Sequence, residues 1–238
     1  MRVDQPLPRR SAPLSMQYRC EEVEPLVIIV DDDASVREAL SELILSAGFQ
    51  STSFASTREL LDADILDCPG CLILDVRMPG ASGLHLQRHL AEKGISKPII
   101  FLTGHGDIPM TVQAMKAGAV EFLTKPFSDE VLLNAIRLAL KRSESALAHE
   151  KDLHALHQAY ASLTPREREV MRLVVSGLLN KQVGGELGIS EITVKAHRGS
   201  LMRKMEADSL PDLVHMAARL GLTSAPWTKA RAATDTFV

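Results

Sequence analysis

The stretch from Pro69 to Gly80 reads PGCLILDVRMPG, and it decides how the first half of the chain folds. Cys71 to Leu74 is a short apolar run of the kind found in buried strands, and the carboxylate of Asp75 ends it. The turn signal Met78-Pro79-Gly80 follows at once. Because ligands of an open α/β sheet collect beyond the carboxyl ends of its strands, Asp75 is predicted to be rigidly held and to face solvent. Considered alone, Asp75 could equally be a plain strand-end residue.

Apolar runs and helical patterns alternate through residues 25–142. Five strand–helix repeats predict a doubly wound, five-stranded parallel sheet of the flavodoxin-like α/β class. The predicted strands are Leu26–Val30, Phe49–Phe54, Cys71–Asp75, Pro98–Thr103 and Val120–Thr124. The predicted helices are Ala34–Ala47, Ser56–Ala63, Ser82–Lys93, Ile108–Ala117 and one that begins at Ser128.

The last of these helices is expected to continue beyond Arg142. Residues 143–162 contain neither Pro nor Gly, and apolar side chains fall at three-four-three spacing at Leu153, Leu156, Tyr160 and Leu163, the last of them just beyond this segment. The spacing is typical of a coiled-coil seam but is shorter than three or four heptads. A dimerising seam and a helical linker that packs on its own domains both remain open.

A small all-helical domain is predicted after this linker. Thr164, Pro165 and Glu167 form a helix start with a capping box. The predicted helices are Pro165–Ser176, Lys181–Leu187, Glu191–Met205 and Leu210–Leu220. The predicted organisation is a flexible extension at 1–24, an α/β domain at 25–142, a helical linker at 143–162, a helical domain at 163–222 and a flexible tail at 223–238.

Composition is that of an ordinary globular protein, with 45% hydrophobic and 24% charged residues among 238. No secretory signal and no apolar run of about 20 residues is present, and three cysteines suit a reducing compartment, so a soluble cytoplasmic protein is expected. Residues 25–142 hold 11 Lys and Arg against 15 Asp and Glu, whereas residues 164–222 hold 9 against 7. Two domains with different partners fit this contrast.

Polar side chains follow four of the five predicted strands. Asp31 and Asp32 follow the first strand, Thr103 ends the fourth, and Lys125 follows the fifth. In a doubly wound sheet these strand ends lie beside the end of the third strand, so the side chains are expected to surround Asp75. Clustered carboxylates favour a hard divalent cation, and Mg²⁺ is the natural one. The alternative for each residue alone is a solvated turn with Lys125 as a surface ion pair.

This constellation resembles the receiver domain of bacterial two-component response regulators, and in particular the FixJ branch. The resemblance covers about Leu26 to Arg142 and rests on Val30-Asp31-Asp32, Asp75 before Met78-Pro79, Thr103-Gly104 and Lys125-Pro126. It implies that Asp75 accepts a phosphoryl group from a phosphohistidine of a sensor histidine kinase. It further implies that Asp32, Asp75 and the Arg77 backbone carbonyl bind Mg²⁺ directly and that Asp31 binds it through water.

The same resemblance implies roles for three other features. Lys125 and Thr103 are expected to contact the phosphoryl oxygens, and the Lys125–Pro126 bond is expected to be cis. Thr103 and Phe122 are expected to form a switch, although ordinary core packing also explains Phe122. Val112 and Lys116 are candidates for a dimer face on the fourth helix. Phosphatases that attack with a strand-end Asp carry a second Asp two positions later, where this chain has Arg77, so a fast hydrolase is not expected.

The helical domain contains a helix-turn-helix signal at Gly188-Ile189-Ser190. Residues 162–222 resemble the LuxR-type DNA-binding domain through LTPREREV at 163–170, GLLNK at 177–181 and ISEITVKAHR at 189–198. The resemblance implies that Lys181, Thr193 and Lys195 approach phosphates or groove edges and that His197 and Arg198 lie on the recognition helix. Lys204 is expected to add charge near the end of that helix. Gly184 and Gly185 depart from the family pattern, and mid-helix glycines cost about 1 kcal/mol each relative to Ala.

The sequence therefore predicts a phosphorylation-activated transcription regulator. Its expected partners are a sensor histidine kinase, promoter DNA, a second copy of the chain after phosphorylation, and RNA polymerase. The alternative is a phospho-regulated protein whose helical domain contacts protein rather than DNA. Cys68-Pro69-Gly70-Cys71 is a Cys-x-x-Cys, but without a second cysteine pair we assign it no function.

Overall fold

The computed structural model describes residues 24–63, 65–80, 82–104 and 108–222. The chain divides into two compact units, Met1–Leu147 and Ala148–Val238. The extension predicted at 1–24, apart from Glu24, and the tail predicted at 223–238 lie outside the described residues.

The first unit is built on a five-stranded, wholly parallel sheet in the order β2-β1-β3-β4-β5. Its elements are β1 Leu26–Val30, α1 Ala34–Ser46, β2 Gln50–Phe54, α2 Thr57–Asp62, β3 Gly70–Asp75, α3 Gly83–Glu92, β4 Ile99–Thr103, α4 Ile108–Lys116, β5 Glu121–Thr124 and α5 Asp129–Ala161. The predicted doubly wound α/β class is confirmed, and element ends differ from prediction by only a few residues, apart from α5, whose end had been left open.

Both faces of the sheet are buried, which is why its strands read as continuous apolar runs. Successive side chains of a strand point to opposite faces. On β3, Cys71 and Ile73 pack into the core that includes residues of α1 and α5, whereas Leu72 and Leu74 pack into the core that includes residues of α2, α3 and α4. Burial raises the pKa of the Cys71 thiol to about 12, so this cysteine behaves as a core residue.

Gly70 sets the start of β3. Its φ is +141°, and a Cβ at this position would lie 1.9 Å from the carbonyl oxygen of Leu26 on β1. The Gly70 N–H donates to the Ser143 hydroxyl at 2.9 Å, and the Leu26 N–H donates to the Pro69 carbonyl at 2.9 Å. Only glycine allows the two backbones to approach so closely, so the strand that carries Asp75 depends on it.

Helix α5 covers the segment that was predicted to be a linker. Leu156 and Leu163 are buried in the core of the second unit, and Tyr160 packs against that core. These contacts support the interpretation in which the apolar side chains pack on their own domain. Among the described residues, no helix is both long enough and apolar enough to cross a membrane.

The second unit is helical throughout its described part, with α6 Pro165–Val175, α7 Asn180–Leu187, α8 Glu191–Lys204 and α9 Leu210–Arg219. The predicted capping box at the start of α6 is present: Thr164 Oγ1 accepts from the Glu167 N–H, and the Glu167 carboxylate accepts from the Thr164 N–H. Val194, Leu201 and Met205 form the buried face of α8, as the spacing predicted. The turn between α7 and α8 presents α8 as the second helix of a helix-turn-helix.

Candidate functional site

The parallel register brings the polar strand ends to one edge of the sheet. Asp75 ends β3, with its backbone opposite Leu102, and Thr103 ends β4 one residue later. The Lys125 N–H donates to the Thr103 carbonyl at 2.7 Å, which fixes the residue that follows β5. The Lys125–Pro126 peptide bond is cis, as the resemblance implied.

The ammonium of Lys125 lies between two carboxylates. Its Nζ is 2.7 Å from Asp31 Oδ2 and 3.6 Å from Asp75 Oδ1. The other oxygen of Asp31, Oδ1, accepts the Asp33 N–H at 3.0 Å. Asp31 is 2% exposed and Asp75 8%. The structure therefore brings together an inner acid with both oxygens engaged, a shared cation, and a second acid that reaches solvent.

Several opposing effects act on the carboxyl of Asp75. Burial raises its pKa most strongly, the nearby Lys125 cation lowers it, and the negative charges of Asp31 and Asp32 raise it further. The backbone N–H of Arg77 donates to the carboxylate and also lowers the pKa. The net pKa is raised, because burial and two like charges outweigh one shared ammonium. An additional cation would relieve this excess of negative charge.

The donor set suits Mg²⁺. Among the described residues no group of three or more His, Cys, Asp and Glu side chains forms a ready-made metal cage. Mg²⁺ does not need one, because it binds through one or two carboxylates and keeps several waters. Both oxygens of Asp31 already have partners, so a water-mediated role suits it better than direct ligation. Asp32 is exposed and close enough to Asp75 to influence its pKa.

The predicted switch residues lie on neighbouring strands. Thr103 is fully buried at the end of β4, and Phe122 on β5 is half-buried. The Phe122 ring lies 6.1 Å from the ring of Phe101, at 44° to it. Phe122 thus packs against the edge of the core and keeps part of its ring accessible, an arrangement compatible with both interpretations of this residue.

Helix α4 carries more exposed apolar surface than the sequence pattern suggested. Val112 and Lys116, the predicted dimer-face residues, are both exposed. Ile108 is 80% exposed and Met115 42%, and with Val112 at 44% they follow the i, i+4, i+7 spacing of one helix face. Neither Ile108 nor Met115 was predicted to belong to this face, although the spacing could have identified both.

The predicted DNA-contacting residues of the second unit fall into two groups. Lys181, Thr193 and Lys195 are exposed, and Lys195 forms an ion pair with Glu191 at 3.3 Å. His197 and Arg198 are only half-exposed. Arg198 Nη1 donates to the Asn180 amide oxygen at 3.1 Å, so its guanidinium is directed to the start of α7.

A buried carboxylate joins α6 to α8, which the sequence analysis missed. Glu167 is 4% exposed and accepts hydrogen bonds from the Thr164 N–H at 2.8 Å, from Ser200 Oγ at 2.6 Å and from Lys204 Nζ at 2.7 Å. Burial raises the pKa of this carboxyl, but the hydrogen bonds from Lys204, Ser200 and Thr164 outweigh it and lower the pKa to about 2. Lys204, which was expected to add charge near the end of α8, has a partly exposed side chain whose ammonium pairs with Glu167.

The two unusual glycines of α7 differ in their surroundings. A Cβ at Gly184 would lie 2.8 Å from the carbonyl oxygen of Ile189, in the turn before α8, whereas a Cβ at Gly185 would meet nothing within 4 Å. Gly184 therefore permits a close approach of α7 to the turn. Nothing in the structure explains Gly185.

These features define a response regulator with a receiver domain and a LuxR-type DNA-binding domain, and comparisons with known proteins agree. The sequence-family model of the response regulator receiver domain matches residues 27–137, and that of the bacterial regulatory proteins of the luxR family matches residues 161–217. The chain belongs to this family of response regulators.

Individual relatives extend along most of the chain. Nodulation protein W of Bradyrhizobium diazoefficiens is 49% identical over 199 residues, which is 84% of this chain and 88% of that protein. Response regulator protein TmoT of Ectopseudomonas mendocina is 52% identical over 198 residues, which is 83% of this chain and 90% of that protein. The solved structure of the response regulator StyR is 47% identical, with a TM-score of 0.74, and the match covers 83% of this chain and all of that one.

Proposed function

We propose that this protein is a transcription regulator that is activated by phosphorylation of Asp75. A sensor histidine kinase donates the phosphoryl group, the phosphorylated chain dimerises, and the second unit binds promoter DNA. The observation that carries the proposal is the position of Asp75, at the end of a buried strand with Lys125 Nζ 3.6 Å from its carboxylate and Asp31 beside it.

The residues of the site suit phosphoryl transfer, which requires positioning and charge neutralisation more than covalent help. The Asp75 oxygen attacks phosphorus, the phosphorus–nitrogen bond of the phosphohistidine breaks, and the imidazole leaves with the electron pair. Asp32, Asp75 and the Arg77 carbonyl would hold Mg²⁺, with Asp31 acting through water, and the ion supplies neutralisation of phosphoryl charge. Lys125 is shared between two carboxylates, so its ammonium can shift toward a phosphoryl oxygen, and Thr103 donates its hydroxyl to another.

The phosphoaspartate is expected to persist as a signal. Rapid hydrolysis needs a general acid or base that activates water. Two residues beyond Asp75 the chain has Arg77, whose guanidinium serves as neither general acid nor general base. Only slow autodephosphorylation is therefore expected.

A groove beside the site suits the kinase. It has a volume of about 740 Å³ and lies between α1 and the segment after β5. Val36, Leu43 and Phe127 give it an apolar lining, and Lys125 also lines it. An amphipathic helix of the kinase that enters this groove would bring its phosphohistidine toward Asp75.

Phosphorylation is proposed to act on the α4 face. The new group adds a charge of about −1.5 to −2 at neutral pH. Thr103 turns toward it, Phe122 moves into the space released, and the exposed face of α4 with Val112 and Lys116 pairs with a second copy. Two α8 helices then enter neighbouring half-sites of DNA, with Lys181, Thr193, Lys195, His197 and Arg198 as candidate contacts. Contact with RNA polymerase follows from this role.

The phosphorylation step is tested with acetyl phosphate and Mg²⁺. We expect one phosphoryl adduct by intact mass and a shift toward dimer by light scattering. Asp75→Asn should show neither, whereas Asp62→Asn, at an exposed position of α2 with only a loose ion pair, should behave as the unchanged protein. An adduct that persists in Asp75→Asn would refute the proposal.

One observation favours a second candidate, a regulator whose helical unit contacts protein. Lys195 is paired with Glu191 and Lys204 with Glu167, which reduces the free positive charge of α8, and Ile192 on the same helix is 80% exposed. Salt-dependent binding of the full, phosphorylated chain to duplex DNA distinguishes the two, because counterion release makes DNA affinity fall steeply with salt. Absence of binding at low salt would favour the protein-contacting alternative.

A further inference from the structure

The guanidinium of Arg37 forms hydrogen bonds with the backbone of Asp31 and Asp32, two of the acids beside Asp75. Arg37 lies in the first turn of α1 and is half-buried. Its Nη1 donates to the carbonyl of Asp31 at 2.7 Å and to the carbonyl of Asp32 at 3.0 Å. Its own N–H donates to the Asp33 carbonyl at 3.1 Å, so both ends of the residue are fixed to the same loop.

Further hydrogen bonds fix the loop Asp31–Asp33, which connects β1 to α1. Asp33 caps α1, with its Oδ1 accepting the Ser35 N–H at 2.9 Å, and its own N–H donates to Asp31. The side chains of Asp31 and Asp33 thereby fix their own backbone. The Asp32 side chain has no such local hydrogen bond among the described residues, and the hydrogen bond that its carbonyl accepts there comes from the Arg37 guanidinium. The position of Asp32 therefore depends on Arg37 more than that of Asp31 does.

We propose that Arg37 is a positioning residue for the divalent cation that serves Asp75. The inference rests on the proposed function, because it concerns the same acids. By holding two consecutive carbonyls, Arg37 removes the rotational freedom of the loop and keeps Asp32 and Asp31 presented together toward Asp75. Partners that orient metal ligands from outside the coordination shell typically change metal affinity by about 10–100-fold when they are removed.

The sign of the effect separates this role from plain electrostatics. Arg37 is a cation near a cation site, so its charge alone repels Mg²⁺, and neutralising it would strengthen Mg²⁺ binding. Positioning acts in the opposite direction, because a loop that must be ordered on binding lowers the affinity. Weaker Mg²⁺ binding by a neutral variant of Arg37 therefore indicates lost positioning, because removal of the charge alone would strengthen Mg²⁺ binding.

The test compares Arg37→Gln and Arg37→Lys with Arg58→Gln in the full chain. Arg58 is a matched control, since its side chain is 91% exposed on α2 and has only a 3.9 Å contact with Asp62. Mg²⁺ affinity is measured directly by calorimetry, without a phosphoryl donor. The Mg²⁺ concentration that half-saturates the phosphorylation rate with acetyl phosphate is measured separately, and thermal unfolding in EDTA reports structural damage.

We expect Arg37→Gln to bind Mg²⁺ about 10-fold more weakly. Its phosphorylation rate should recover at saturating Mg²⁺, Arg37→Lys should lie between it and the unchanged protein, and Arg58→Gln should match the unchanged protein. Equal or tighter Mg²⁺ binding by Arg37→Gln would overturn the inference. If Arg37→Gln does not fold, Arg37→Lys decides: weaker Mg²⁺ binding supports the inference, and equal binding overturns it.

The two proposals fail in different ways. An unchanged protein that takes up a phosphoryl group on Asp75 while Arg37→Gln keeps full Mg²⁺ affinity removes only the role of Arg37. An unchanged protein that neither binds Mg²⁺ nor forms an adduct overturns the proposed function and the role of Arg37 together.

Discussion

Replacing Glu167 tests how the second unit holds its recognition helix. In Glu167→Ala, the Lys204 ammonium, the Ser200 hydroxyl and the Thr164 N–H all lose their shared acceptor. Breaking a buried ion pair from one side costs about 3–5 kcal/mol. The Lys204 side chain is 34% exposed and regains water, so the lower end, about 3 kcal/mol, is expected. Glu167→Gln keeps the shape and one acceptor oxygen but loses the negative charge that pairs with Lys204. Because hydrogen bonds to charged groups contribute more than neutral ones, this variant is expected to lose about 2 kcal/mol of stability.

Hydrogen exchange read by mass spectrometry suits a chain of two units, whose overall unfolding need not be a single transition. A loss of about 2 kcal/mol corresponds to roughly 30-fold faster exchange of the α8 amides, if they exchange through opening of this unit. The amides of β1 and β3 should not change. Glu169→Gln is the matched control, because Glu169 is on the same helix and also accepts from a cation at 2.7 Å, but its side chain is 47% exposed. Its loss should cost no more than about 1 kcal/mol.

The pH dependence of the Glu167 effect has a definite sign. Its folded-state pKa of about 2 is below the ordinary value of 4.5, so the carboxylate stabilises the folded state fully above the ordinary value. That contribution is lost as the pH falls from 4.5 through about 2. The difference between the unchanged protein and Glu167→Gln should therefore be constant near neutrality and shrink in acid. Equal α8 exchange in the two proteins at neutral pH, or a difference that grows in acid, would refute the reasoning.

Substitutions at three glycines complete the predictions. Gly185→Ala should stabilise the second unit by about 1 kcal/mol, because its Cβ would meet nothing within 4 Å and alanine is the better helix former. Gly184→Ala should bring no such gain, since its Cβ would lie 2.8 Å from a backbone carbonyl, and urea unfolding of both variants checks the contrast; equal gains would contradict it. Gly70→Ala should prevent stable folding of the first unit, because its Cβ would lie 1.9 Å from the backbone of β1. A soluble Gly70→Ala protein with unchanged circular dichroism and unchanged phosphorylation would show that this approach is not required.

The main geometry of the receiver site follows from the sequence because local signals and topology suffice for it. An apolar run that ends at Asp75 and a turn behind it place the acid at a strand end, and parallel pairing brings Asp31 and Lys125 to the same edge. The residues that surround Asp75 need not be known in advance, because the carboxyl ends of neighbouring parallel strands always lie at the same edge of the sheet. The cis bond at Lys125–Pro126 is different, because it was expected only from the resemblance.

Contacts between long polar side chains of separate elements could not be predicted in this way. The sequence shows Glu167 as a capping residue and Lys204 as one charge on a helix, but helical periodicity gives only the face of a residue and not its partner. The two are 37 positions apart and meet only when α6 and α8 pack. Arg37 is a similar case, since its spacing on α1 is equally compatible with a solvated arginine. Such contacts depend on the final separation of packed elements, which no local pattern encodes.

The buried carboxylates of Asp31 and Glu167 have similar hydrogen-bond partners but differ in how freely those partners can move. Asp31 and Glu167 each accept one backbone N–H and one lysine ammonium at 2.7 Å. Lys125 has a second carboxylate, that of Asp75, 3.6 Å away. Its ammonium can therefore shift from Asp31 toward Asp75 and still be paired with a negative charge. Lys204 has no second carboxylate within ion-pair distance among the described residues, so displacing it would leave Glu167 buried and uncompensated. If Asp75 is phosphorylated as proposed, the first arrangement can respond to the added charge, whereas the second resists change because Glu167 and Lys204 join α6 to α8.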